Sequence, residues 1–207
     1  MAGNLFVGCG AGFSGDRTDA AAPVVRTLAA RGAPACIIFE TLAERTLALA
    51  QLARRRDPGA GYEPLLDRIV TPILAECQAR GICIVSNFGA ANPPAAARRI
   101  LGIAREQGLR APRIAVIHGD DLSGPAHREL LRRELGARID GIDVVSANAY
   151  LGAETIATAL RAGAEIVVAG RVADPSLVVG PVMAHFDIAP DDWTRLGRAT
   201  MAGHLLE

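Results

Sequence analysis

Lysine is missing altogether: all 22 basic side chains are arginines, set against 22 carboxylates for a formal net charge of +0. Two chemistries go with it. A Walker-type phosphate loop needs a lysine on the β- and γ-phosphates, and Schiff-base catalysis, pyridoxal phosphate attachment included, needs a side-chain amine. The cancelled charge removes the electrostatic case for nucleic acid or an anionic membrane surface. The four cysteines (Cys9, Cys36, Cys77, Cys83) hold no Cys-x-x-Cys pair. Three sit in apolar surroundings and read as reduced core thiols of a cytosolic protein. His118 near Asp120 and Asp121 has no second histidine at ligand spacing, so no metal is expected. Ser14 is followed by Gly15 and Asp16, which breaks the Gly-x-Ser-x-Gly elbow of serine hydrolases. No basic-then-apolar leader opens the chain, and no run reaches the roughly 18 apolar residues a membrane span requires, so a cytoplasmic protein is expected.

What is present is a regular alternation. Short apolar runs at 5–7, 35–39, 82–86, 114–117, 144–147 and 166–169 read as strands, with helical stretches between them. Most are apolar on both faces, as parallel strands covered by helices are. Thr41 to Glu44 reads as a capping box, and Asn92-Pro93 as an N-cap followed by proline at the first helical position. Pro72 should kink or divide the helix that opens at Glu63-Pro64. Repeated β-then-α units imply a three-layer α/β fold: a mostly parallel sheet of about six strands with helices on both faces. A single domain over 1–207 is expected. The last helix, entered at Pro190 to Trp193, still runs at Leu205-Leu206-Glu207 without a glycine stop, so the chain reads as the amino-terminal part of a longer protein.

The glycine-rich loop Gly8 to Arg17 follows the first strand and spells Gly-x-Gly-x-x-Gly across Gly10, Gly12 and Gly15. Glu40, closing the second strand, would suit a ribose hydroxyl. Against a standard dinucleotide fold, Pro23 would fall in the second turn of a helix started within the glycines, so that helix is better begun near Thr18 or Asp19. Asp16 and Asp19 would also set negative charge beside a diphosphate, with only Arg17 to offset it. The fold is therefore expected to be Rossmann-like without being a standard dinucleotide fold.

In open parallel sheets ligands bind beyond the carboxyl ends of the strands. The residues there are Glu40 after the second strand, Asn87 and Asn92 after the third, His118, Asp120 and Asp121 after the fourth, Asn148 after the fifth, and Arg171 and Asp174 after the sixth. Asn92 and Asp174 also read as helix caps. Amides, carboxylates and arginine in one place suit an oxygen-rich organic ligand.

Five ordered motifs carry a resemblance: Gly10 to Arg17, Leu42 to Leu47, Asn87 to Pro93, Ala147 to Gly152 and Gly170 to Pro175, with Gly203 to Glu207 at the end. Together they resemble the acyclic terpene utilisation AtuA family, a domain of unknown function, over essentially the whole chain. Its members are longer, which again implies an amino-terminal part. The resemblance implies a place in bacterial catabolism of citronellol- and geraniol-like isoprenoids, which proceeds through coenzyme A thioesters; it assigns no reaction and no cofactor. The expected partner is a small molecule, anionic or a CoA thioester, with a homo-oligomer or partner subunit left open. On this reading the loop amides and side chains of Gly10, Gly12, Ser14, Gly15, Asp16 and Arg17 hold the anionic part. Asn87, Asn92, Asn148, Arg171 and Asp174 bind and orient the rest, and Glu40 or Asp120 moves a proton. Two alternatives stand beside it: an NAD(P)-dependent oxidoreductase using the glycine loop, and a non-catalytic subunit or scaffold.

Overall fold

The structure, a computed structural model, describes residues 3–32 and 34–207. Its strands are β1 (Phe6–Ala11), β2 (Ala35–Phe39), β3 (Cys83–Ser86), β4 (Ile114–Ile117) and β5 (Ile166–Ala169). They form one all-parallel sheet in the order β1-β2-β3-β5-β4. The helices are α1 (Ala21–Arg31), α2 (Glu44–Arg56), α3 (Leu66–Val70), α4 (Leu74–Arg80), α5 (Pro93–Glu106), α6 (Arg128–Leu135), α7 (Glu154–Arg161), α8 (Ser176–Phe186) and α9 (Trp193–Leu206).

Because successive strand side chains point to opposite faces, one strand feeds two cores. Ile37, Phe39, Ile84, Ile166 and Val168 join α1, α3, α4 and α5 in one buried cluster. Ile38, Val85, Val167 and Ala169 join α7 and α8 in the other. That division makes the three layers. A small satellite cluster of Leu42, Leu47, Ala90 and Ala91 ties α2 to the loop after β3.

Among the described residues the sheet has five strands where six were expected. Residues 144–147 join no ladder: Asn148 makes one isolated bridge to Asp121, and the Leu122 N–H donates to the Ala147 carbonyl at 2.7 Å. This half-buried segment pairs with the loop after β4 instead of entering the fully buried sheet centre.

Pro72 divides the predicted helix into α3 and α4, and Pro23 falls in the first turn of α1, where its missing N–H leaves no intrahelical bond unmade. That helix begins at Ala21, slightly later than Thr18 or Asp19. Two caps are corrected, those of Thr41 and Asp174, while Asn92 keeps its place without a capping side-chain bond. The Thr41 N–H and hydroxyl both donate to Asn87 Oδ1, at 2.8 and 3.2 Å, so Thr41 caps nothing; α2 starts from Ala43, whose N–H donates to Thr46 Oγ1 at 2.9 Å. Asn92 holds the N-cap position of α5, but Pro93 and Pro94 remove the first amides it could serve. Its Nδ2 donates instead to the Pro58 and Ala60 carbonyls at 2.9 and 2.7 Å. Asp174 turns to Arg171, leaving Pro175 at the N-cap of α8. Cys36 and Cys83 are also not free thiols. They stand opposite each other in the β2–β3 register and form a disulfide, whereas Cys9 and Cys77 remain thiols.

Candidate functional site

Chain direction across the sheet fixes where a ligand belongs. From β1 to β4 the crossovers run one way and α1, α3, α4 and α5 share a face; from β4 to β5 the chain steps back, and α7 and α8 cover the other face. Right-handed crossovers force this change of face. The loops leaving neighbouring β3 and β5 therefore part to opposite sides, opening the crevice where doubly wound sheets bind ligands. Asn87 leaves β3 there, and Gly170-Arg171 leaves β5. The two loops are pinned by the Gly89 N–H donating to the Ala169 carbonyl at 2.9 Å. A β-carbon on Gly89 would lie 2.5 Å from that carbonyl oxygen and 2.7 Å from Pro93 Cα, so only glycine fits.

The polar residues at this edge form two joined clusters. Asn87 Nδ2 donates to Glu40 Oε1 at 2.7 Å, and the Leu42 N–H donates to the same oxygen at 3.1 Å. Burial pushes the Glu40 carboxyl up to about 6, against the opposing pull of those bonds and of Arg171. Arg171 Nη2 stands 3.9 Å from Glu40 Oε1. On the other side, Asp120 Oδ2 accepts the Arg171 N–H at 2.9 Å and Asn148 Nδ2 at 2.8 Å. Glu40, Asn87, Asp120, Asn148, Arg171 and Asp174 are thus brought together. Arg171 is only 2 % exposed. Its guanidinium serves the protein itself, donating to the Val172 and Leu42 carbonyls and to Asp174, with the Tyr150 ring 4.5 Å away.

The glycine loop is built differently from the expectation. Asp16 accepts the Gly12 N–H at 3.0 Å on one oxygen and the Arg17 N–H at 2.6 Å on the other. A carboxylate of the chain itself occupies amides that a phosphate would need. Gly10 makes room for the Phe39 ring, and Gly12 sits against the backbone of Glu207. Gly15 supplies a turn at φ +86°. Arg17, with a side chain 68 % exposed, pairs with Asp19 and contacts none of the polar cluster. Asn92 likewise positions the 58–60 loop and stands apart from the cluster.

Two hollows flank the cluster. One, of about 240 Å³, is lined by His118, Asp120, Asp121 and Arg54. The other is an apolar cleft of about 330 Å³ between α2 and the 61–65 segment, to which Ser14 and Gly15 contribute from the glycine loop. Ala90 lines both, and its φ of +43° is a left-handed conformation rare for a residue with a β-carbon. The cleft holds a residue the sequence did not single out as functional. Glu63, read there as a helix opener, is 7 % exposed; one oxygen accepts the Leu65 N–H at 2.8 Å. Burial pushes its carboxyl up, opposed by the Leu65 N–H. Nothing in the spacing of a Glu-Pro pair separates a cleft-lining acid from an ordinary cap. Among the described residues no helix is long and apolar enough to cross a membrane.

The model of the acyclic terpene utilisation family protein AtuA matches residues 5–207. The chain belongs to that family. No curated protein and no solved structure matches it. The family match spans both the glycine loop and the loops after β3 and β5, so AtuA membership covers every segment that builds the polar cluster.

Proposed function

We propose that this AtuA-family chain acts in the catabolism of acyclic terpenes, binding a small anionic or CoA thioester ligand at the carboxyl edge of its sheet. The observation that carries this reading is the buried Glu40 carboxyl, poised at about 6 beside Asn87 and Arg171 where the β3 and β5 loops part. A carboxyl with that affinity for protons can both give and take one near neutral pH, which suits proton transfer at a thioester or at the carbon beside it. Asp120, bordering the smaller hollow, is the second candidate for this role. The dinucleotide alternative draws less support, since Asp16 already takes the Gly12 and Arg17 amides and α1 begins well past the last glycine of the motif. Calorimetric titration with geranoyl-CoA tests the proposal. Heat of binding is expected, weakened by Asn87→Ala; no heat from any thioester at millimolar concentration overturns it.

A further inference from the structure

The cleft beside the polar cluster has a chemistry of its own. Its walls include Leu42, Leu49, Ala50, Ala53, Pro64 and Leu65, and among the described residues neither arginine nor histidine, the only cationic side-chain types in the chain, lines it. Two buried polar side chains enter this apolar lining together, Thr41 and Glu63. A carboxyl offers about four acceptor sites, and the Leu65 N–H accounts for one of those on Glu63. An anionic head group would meet Glu63 with no compensating cation, in surroundings where unpaired charge is costly. A hydroxyl would find an acceptor.

We infer that this cleft seats an uncharged aliphatic chain ending in a hydroxyl, the hydroxyl donating to Glu63 and the hydrocarbon lying along Ala50 and Ala53. The inference rests on the reading above for the cleft's place beside a reacting centre, and it adds a selection by charge that the polar cluster does not impose. The small side chains of Ala50 and Ala53 set the room available, so a bulky replacement on α2 should close it.

Titrating 1-octanol and octanoate, equal in chain length, against the full chain at about pH 8 by ligand-observed NMR tests this, since octanoate is then ionised. Octanol should bind at least about tenfold more tightly than octanoate, a difference near 1.4 kcal/mol. Ala53→Phe should abolish octanol binding, and Glu63→Ala should shrink the preference for alcohol over acid. Equal or tighter binding of octanoate overturns the inference, as does octanol binding undiminished in a folded Ala53→Phe protein. Should that variant fail to fold, the ratio measured on the unaltered chain decides. Octanol binding without heat from geranoyl-CoA supports the cleft and overturns the thioester reading; thioester heat without octanol binding does the reverse.

Discussion

At the scale of single residues, Glu40 shows how burial and hydrogen bonding oppose each other. Loss of water raises its affinity for a proton; the Asn87 amide and the Leu42 N–H favour the ionised form but do not win. The native state therefore holds this proton more tightly than the unfolded chain, whose carboxyl titrates near 4.5. The stability Glu40 contributes is complete below that pH and is lost as pH rises through about 6. Glu40→Gln removes the loss: its unfolding free energy relative to the parent should rise by about 2 kcal/mol between acid and neutral pH. Urea melts of both proteins across that range check the sign as well as the size. The meeting of Glu40, Asn87 and Arg171 at one edge was legible because Glu40 and Asn87 directly follow an apolar strand and Arg171 lies one residue beyond another, and such strand ends share one edge of a parallel sheet. Their partners were not. Whether Arg171 faces solvent or the carbonyls of Val172 and Leu42 depends on how β2 and β5 are spaced in the sheet, which local sequence does not encode.

At the scale of elements, turns and prolines were readable and extended segments less so. Pro72 and Pro23 act through a missing N–H, a local effect, and both did what their chemistry requires. Val144 to Ala147 has the composition of a strand, yet it does not join the open edge beside β4; the segment pairs with residues 120–122 instead. The glycine pattern shows a related limit: it fixes backbone freedom but not which groups meet the loop amides, and here Asp16 accepts those of Gly12 and Arg17. By contrast Gly89 is fixed by a close approach between two loops. Gly89→Ala must displace either the Ala169 carbonyl or Pro93, and a thermal melt should show destabilisation of about 1–3 kcal/mol. Gly81→Ala, where an added β-carbon meets nothing within 4 Å, serves as the control: its cost comes only from the left-handed backbone at φ +65°.

At the scale of the molecule, the layered α/β architecture was legible because alternating strands and helices allow few arrangements, while the order of strands had to come from the structure. That order predicts a gradient of protection. β3 lies inside the sheet and is bonded to β2 through Cys36 and Cys83; β1 and β4 are the edges. Hydrogen exchange followed by mass spectrometry should find the amides of Ile84 to Ser86 outlasting those of β4, and the reverse order would contradict the sheet described here. The order also has a consequence for how the protein is made. Glu40 and Asn87 are synthesised early, but Asp120, Asn148 and Arg171 arrive only with the second half of the chain. The polar cluster is complete only once β5 has left the ribosome, so on the proposed function a ligand of that cluster would secure the finished sheet and not the nascent amino-terminal strands.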